Sequence, residues 1–270
     1  MSSKPFLKWA GGKSKLVPFI SMHLPRKPQK RLIEPFAGSA ALSLSIEFES
    51  YLINDVNSDL IGLYRTLRDE REAFIKYAQS FFVDANNDEK LFYALRDRFN
   101  NSRETVERAA LFIYLNRHAF NGLCRYNSKG EFNVPFGRYK SPYFPKDEMR
   151  AFIAKSRRME FMQGDFQAVM ALAKEEDVIY CDPPYVPLSS TASFTAYAKG
   201  GFDFDDQARL AQNAQRIANK AFGVLISNHD TKFTRQIYKD ARLKTTDVQR
   251  MIAAKGSSRK KARELLAIYE

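Results

Sequence analysis

The stretch Asp177-Val178-Ile179-Tyr180-Cys181-Asp182-Pro183-Pro184-Tyr185 constrains this chain more than any other. A continuous apolar run stops at an acid, and two prolines and a tyrosine follow. Proline has no N–H and a fixed φ, so a helix or central strand cannot continue through it. The run therefore reads as a buried strand, 177–181, whose carboxyl end carries one carboxylate on a stiffened turn.

The rest of the chain supplies a sheet for that strand. "RLIEPFAGSAALSLSIEF" reads as strand, small-residue turn and helix, and "SYLINDVNSDLIGLYRTLRDE" repeats the logic with a strand at 51–55. From Glu70 to about Arg117 the pattern is helical. "GLCRYNSKGEFNVPFGRYKSPYFP" is rich in Gly, Pro, Asn and aromatics, with "NSKG" as a turn signal, and reads as a hairpin and loops. Next come a helix at 145–156, a strand at 159–163, a helix at 166–174 and the strand at 177–181. A long loop precedes a helix at 205–221, a strand at 222–227, a helix after Asp230, and strands near 243–249 and 264–269 separated by a mobile "SSRKK". Strands alternating with helices make an α/β fold with a mostly parallel, doubly wound sheet. The span 70–144 breaks the alternation and reads as an inserted lobe, so the expected division is 1–69 with 145–270, and 70–144.

A length of 270 residues with 44% hydrophobic and 27% charged residues suits one such domain with an insertion. No apolar stretch approaches a membrane span, and the N-terminus lacks an uninterrupted apolar signal region. Cys124 and Cys181 give no disulfide framework, and neither a CxxC pair nor a His/Cys cluster suggests a metal, so a reducing cytoplasm is expected. The net charge of +12 points to a polyanionic partner or to a merely basic protein. Arg and Lys interleaved with aromatics, Gly and Ser in "CRYNSKGEF", "GRYKSPYF" and "RMIAAKGSSRKKAR" favour the partner.

Open α/β sheets bind ligands at the carboxyl ends of their strands, where Phe36-Ala37-Gly38, Asp55 and Asp182 all fall. The Gly38 turn lets a ligand approach the backbone, although a plain strand-to-helix connection reads the same way, and the GxGxxG spacing of a dinucleotide site is missing. Asp55 stands where an acid would grip ribose hydroxyls, or else it caps the next helix with Asn57 or Ser58. "KWAGGKSK" is not a phosphate loop, because Leu7 occupies the position of the first required Gly. Trp9 beside it reads either as core or as lying against a ligand. Asp182 and the Pro183 carbonyl are two acceptors suited to an NH₂ group, and Tyr185 offers a flat face to a base. A base's amino nitrogen is a poor nucleophile until both N–H bonds are held so that its lone pair faces an electrophile. S-adenosylmethionine fits as that electrophile, since its sulfonium activates a methyl without a metal or a covalent enzyme intermediate. Alignment alone can supply up to roughly 7–11 kcal/mol of the barrier. A rigid turn with a packed tyrosine is the structural alternative.

The segments "FLKWAGGK", "EPFAGSA", "NDVNSDLI", "LNRHAFNGLCRYNSKGEFNVPFGRYKSPYF", "VIYCDPPYVPLSSTASFTAY" and "LISNHD" together resemble the Dam-type DNA adenine-N6 methyltransferases, an α-arranged amino-methyltransferase family, over nearly the whole chain. The resemblance implies a Rossmann-like S-adenosylmethionine-dependent methyltransferase sheet with an inserted helical and hairpin DNA-recognition lobe. It implies a cofactor pocket lined by Trp9, Lys13, Phe36, Gly38, Asp55, the Gly164-Asp165-Phe166 turn and Asp182, with Asp182, Pro183 and Tyr185 also holding a flipped adenine. It implies that Lys8, Phe120, Asn121, Leu123, Arg125 and Pro135 read duplex DNA at GATC, with Arg138, Tyr139, Lys140, Ser189 and Thr191 along the phosphates. A cytoplasmic monomer, in a bacterial nucleoid or phage-infected cell, is expected. Ala40 departs from the family's F-x-G-x-G turn, where its small methyl should leave the turn intact but weaken cofactor binding. For Arg125 a plain surface role, and for Phe120 a core role under the hairpin, are the alternatives. Asn228-His229-Asp230 is expected to act structurally or behind the site, and His23 and His118 as surface or packing residues. Cytosine N4 or a protein glutamine amide would also present an NH₂, and a DNA-binding protein that had lost catalysis could keep the fold.

Overall fold

Apolar runs too short for helices become the strands of one sheet, and their order sets where each run ends. The computed structural model describes residues 4–25, 30–187, 201–249 and 261–270. A seven-stranded sheet has the order β3-β2-β1-β4-β5-β7-β6, from β1 (Arg31–Glu34), β2 (Ser50–Asp55), β3 (Met159–Gln163), β4 (Asp177–Cys181), β5 (Gly223–His229), β6 (Arg242–Gln249) and β7 (Lys261–Tyr269). β1 pairs in parallel with β2 and β4, and β4 with β5, whereas β7 runs antiparallel to both β5 and β6. β4 is buried along its whole length, as an apolar run in the middle of a covered sheet must be.

The helices are α1 (Val17–Met22), α2 (Ala41–Ser45), α3 (Ser58–Gln79), α4 (Glu89–Asn101), α5 (Thr105–His118), α6 (Lys146–Ser156), α7 (Phe166–Met170), α8 (Phe204–Ala218) and α9 (Lys232–Ile237). Their starts follow local chemistry. Asn57 caps α3 by accepting from the Asp59 and Leu60 N–H groups, Asp88 caps α4, and Asp203 and Asp206 form a capping box on α8. No helix among the described residues is long and apolar enough to cross a membrane.

The continuous helical pattern after Glu70 resolves into the end of α3, then α4 and α5. α3 bends at Arg71, whose φ of 51° and ψ of −125° lie outside helical space. The expected hairpin after Gly122 is slighter than its turn signal suggests. Asn127–Gly130 does turn, but ladder pairing is confined to isolated bridges at Tyr126–Phe132 and Ala119–Phe136. Proline at 135 and left-handed Arg138 (φ 54°) stop that ladder from extending. The helix expected at 166–174 ends at Met170, with hydrogen-bonded turns after it. The Ser189 and Thr191 loop and residues 257–260 of "SSRKK" lie outside the described residues, and its last residue, Lys261, opens β7.

The chain divides into two compact units, one of 1–17, 37–47 and 55–163, the other of 18–36, 48–54 and 164–270. The first has an aromatic core in which Phe6, Tyr64, Phe152 and Phe161 pack at ring-centroid distances of 4.9 to 6.1 Å. In the second the core is aliphatic, built from buried Leu32, Ile33, Val178, Ile179, Leu225, Ile226, Leu265 and Ile268.

Candidate active site

In the first unit the turn before α2 is shaped around Trp9. Gly38 has φ 48°, and a Cβ there would stand 2.6 Å from Trp9 Nε1 and 2.9 Å from Cδ1. Both conformation and space therefore demand glycine. The Tyr64 hydroxyl donates to the Gly38 carbonyl at 2.5 Å, and the Gly38 N–H donates to Asp55 Oδ2 at 3.0 Å. The Asn57 N–H reaches Asp55 Oδ1 at 3.0 Å, while Asn57 itself caps α3. Asp55 is thus a half-buried acceptor tied to the turn, and the helix cap is its neighbour. Burial pushes the Asp55 carboxyl up, against the N–H bonds from Asn57, Gly38 and Val56 that favour the anion. The two oxygens share these bonds and retain acceptor capacity, which suits two adjacent ribose hydroxyls. Lys13 is buried with its Nζ 2.7 Å from the Gly11 carbonyl.

The same unit carries the segment around Phe120–Lys140. Phe120 is 50% exposed on a single 3₁₀ turn, Phe120–Gly122, with Asn121 at φ 55°. It is not the core residue that one reading of the sequence allowed. Lys8 is threaded into the base of this segment. A Cβ on Gly122 would stand 2.5 Å from Lys8 Cβ, and Lys8 Nζ lies 4.0 Å above the Tyr139 ring. Burial and then the Arg117 charge lower the Lys8 ammonium pKa. Arg125 is exposed, with Nε 2.8 Å from Asn133 Oδ1 and one terminal nitrogen 3.2 Å from the Asn133 carbonyl. Leu123 is half-buried and Pro135 exposed, and the Pro135 carbonyl accepts from the Phe120 N–H. Arg138 pairs with Glu89 at 3.1 Å, and Lys140 is exposed.

Sequence reasoning missed the frame behind this segment. Arg108 holds both oxygens of Asp59 (2.5 and 3.2 Å), and the Tyr126 hydroxyl donates to Asp59 Oδ2 at 2.6 Å. Tyr126 is adjacent to Arg125, and Asp59 lies in the first turn of α3, so one carboxylate joins the loop around Arg125 to the helix that follows Asp55. Asp59 sits in the first turn of α3, and no local signal in the sequence ties it to Tyr126.

In the second unit, Phe36 and Phe166 stack at 5.3 Å, Phe202 packs edge-on to both, and the Arg209 guanidinium lies 4.3 Å over Phe166. Asp165 caps α7 and takes a two-point ion pair from Arg209, which holds its carboxyl below the usual range. Asn54, fully buried one residue before Asp55, donates to the Pro35 and Gly164 carbonyls at 2.9 Å each and so pins two strand-to-helix turns.

Asp182, half-buried, follows the last residue of β4. The turn after it is gripped by amide side chains. Gln207 Nε2 donates to the Pro184 carbonyl at 2.7 Å, Asn228 Oδ1 accepts from the Val186 N–H at 3.1 Å, and Asn228 Nδ2 closes the relay on Gln207 Oε1 at 2.9 Å. His229 Nδ1 sits 2.6 Å from the Val186 carbonyl. Asn228 and His229 therefore stand behind the turn, as the sequence suggested. Gln207 was missed, although a glutamine on the apolar face of amphipathic α8 is a legible signal. Three side chains, Gln207, Asn228 and His229, therefore hold the turn, and the Asn228–Gln207 bond ties two of them together.

Residues 9–252 match the model of one family, described as the D12 class N6 adenine-specific DNA methyltransferases. This chain belongs to that family. Members of the D12 family take their methyl from S-adenosylmethionine and place it on adenine N6 of DNA. Curated relatives named DNA adenine methylase match this D12 chain almost end to end. One from Vibrio cholerae is 47% identical over 98% of this chain and 96% of its own. One from Escherichia coli K12 is 46% identical over 99% and 96%, and one from Serratia marcescens 47% over 99% and 98%. The human methyltransferase 10 domain containing protein aligns over 94% of this chain and 79% of its own at 8% identity, with a TM-score of 0.42. A likeness that slight leaves the α/β assignment of this D12 chain to rest on its own sheet.

Proposed function

We propose that this D12 methyltransferase acts on adenine N6 within GATC of duplex DNA, on a base turned out of the helix. The observation that carries the reading is the Asp182–Tyr185 turn, rigidly anchored at the end of a central strand, in a chain whose relatives are named DNA adenine methylase. In this proposal the Asp182 carboxylate and the Pro183 carbonyl accept the two N6–H bonds, and the Tyr185 ring carries the base's face. Asp182 also stabilises the positive charge that develops on the nitrogen and steers its departing proton away. Asp55 holds ribose hydroxyls, and the Gly38 turn, packed against Trp9, admits the cofactor. The cofactor supplies a methyl activated by a sulfonium. The division into a catalytic part, 1–69 with 145–270, and a recognition part, 70–144, belongs to this reading.

GATC specificity is supported by exposed Arg125, whose guanidinium can fork onto guanine O6 and N7, worth roughly 1–3 kcal/mol of discrimination. Extruding the base costs a few kcal/mol, and exposed Phe120 can fill the gap by stacking at about 1–3 kcal/mol. Labelled methyl transfer to duplexes carrying every substitution of GATC, followed by hydrolysis to identify the modified base, tests the assignment. N4-methylcytosine, or transfer indifferent to the GATC substitutions, would overturn it. Asp182→Ala should abolish transfer and leave salt-dependent DNA binding within about threefold. Arg125→Ala should relax discrimination at one guanine, whereas Lys140→Ala should weaken all duplexes alike. Equal losses on every sequence in the Arg125 variant would contradict base reading.

A further inference from the structure

Tyr185 is fixed by groups that the reaction itself does not use. Its hydroxyl donates to Glu264 Oε2 at 2.9 Å, and its ring meets the His229 imidazole nearly perpendicular (78°) at 4.8 Å. The two restraints share an origin, because β7 runs antiparallel to β5 with Glu264 directly opposite His229. Glu264 is an odd residue for its place. Leu265, Leu266, Ala267, Ile268 and Tyr269, which follow it on β7, are all buried, and an acid at the head of such a run needs a partner. The phenol is equally odd, since a ring retained for stacking alone would serve as phenylalanine. Burial and then the nearby negative groups, Asp182 first, raise the Tyr185 pKa well above its usual value, so it stays a proton donor across the physiological range. A ring is a poor platform when it swings about χ1 and χ2. Donation from its hydroxyl to an acceptor on a rigid strand, with a second ring at its edge, removes that freedom.

We propose that Glu264 is a positioning residue for methyl transfer: accepting the Tyr185 hydroxyl, it fixes the plane of the ring on which the target adenine rests. The inference depends on Tyr185 being the stacking face for adenine. It gives the antiparallel β6–β7 hairpin a part in the reaction beyond completing the sheet. Glu264 itself touches no reacting atom.

The test uses the full chain with S-adenosylmethionine and a GATC duplex, and a second duplex in which 2-aminopurine replaces the target adenine. Emission from 2-aminopurine rises when the base leaves the helix and falls again when it stacks on an aromatic ring. Glu264→Ala should lower kcat about tenfold or more, the usual scale for losing a hydrogen bond to a charged group, while the KM for S-adenosylmethionine stays within about twofold. Glu264→Gln keeps the length and an acceptor, and should return kcat to within about threefold of the parent. Tyr185→Phe, which removes only the hydroxyl, should reproduce the alanine defect, and the double variant should be no worse than either single one. The 2-aminopurine complex of Glu264→Ala should be brighter than the parent's. An unchanged kcat in Glu264→Ala, a glutamine variant as impaired as alanine, or losses that multiply in the double variant would overturn the proposal. Should Glu264→Ala not fold, Tyr185→Phe decides alone, and parental kcat and emission in it overturn the role. Tyr185→Ala separates the two readings, since parental kcat and emission in that variant would remove the stacking assignment itself.

Discussion

Gly38 and Ala40 are two residues apart, and both are left-handed, with φ of 48° and 53°. Their tolerances should nevertheless differ. At Gly38 a methyl would meet the Trp9 indole below 3 Å in addition to the backbone strain, so Gly38→Ala should cost more than about 2 kcal/mol and weaken cofactor binding. At Ala40, which is fully buried, glycine would relieve about 1 kcal/mol of left-handed strain but lose a buried methyl worth about 0.8 kcal/mol. The two terms offset, so Ala40→Gly should change stability by less than about 1 kcal/mol in urea unfolding. This is the physical reason that the departure from a second glycine survives. A large loss in Ala40→Gly, or none in Gly38→Ala, would show that the turn is governed by something other than these two terms.

At the scale of the element, α5 shows how a helix can be buried on every side. Ala109 to His118 are all buried, including Asn116, Arg117 and His118 at its carboxyl end. Those polar side chains are placed because the N-terminal segment needs them. Asn116 accepts from the Lys8 N–H at 2.9 Å and donates to the Lys8 carbonyl at 2.7 Å, and Arg117 donates to the Phe6 carbonyl. His118 lies 3.9 Å from the Tyr114 ring, and its Nδ1 is 2.9 Å from the Tyr114 carbonyl. A helix carboxyl end favours a charged imidazole by about 2 kcal/mol at most, yet burial wins and pushes the His118 pKa down to about 4. The unfolded chain then takes up a proton below about pH 6.5 that the folded one refuses until about pH 4. Stability should fall as pH drops through that window, by about 3 kcal/mol in all, and should be insensitive to this group above it. Urea unfolding of parent and His118→Phe across pH 4 to 7 checks this, since the variant should lose that part of the slope. Parallel slopes would mean that His118 is already charged when folded.

For the whole molecule, the formal charge of +12 makes DNA affinity a function of salt. The logarithm of the binding constant should fall linearly with the logarithm of salt concentration, by about 0.9 for each phosphate neutralised. Lys140→Ala should reduce that slope by about one unit, and Asp182→Ala should leave it unchanged. Titration of duplex binding at several salt concentrations distinguishes these outcomes, and a salt-independent affinity would contradict phosphate contact altogether.

The strand–helix alternation, the strand ends at Asp55 and Asp182, and the glycine at 38 were legible in the sequence. Each is enforced locally, by backbone hydrogen bonding, by proline's fixed φ, or by a turn that only a small residue enters. The groups that hold those residues were not legible. Glu264 lies 79 residues beyond Tyr185, Gln207 is 23 beyond Pro184, and Tyr126 is 67 beyond Asp59. The antiparallel placement of β7 between β5 and β6 sets Glu264 opposite His229, and no nearby residue encodes that neighbour. Conformation is largely a contract between adjacent residues, whereas a side chain's partner depends on how distant segments are brought together, and that was settled only when the sheet and helices packed.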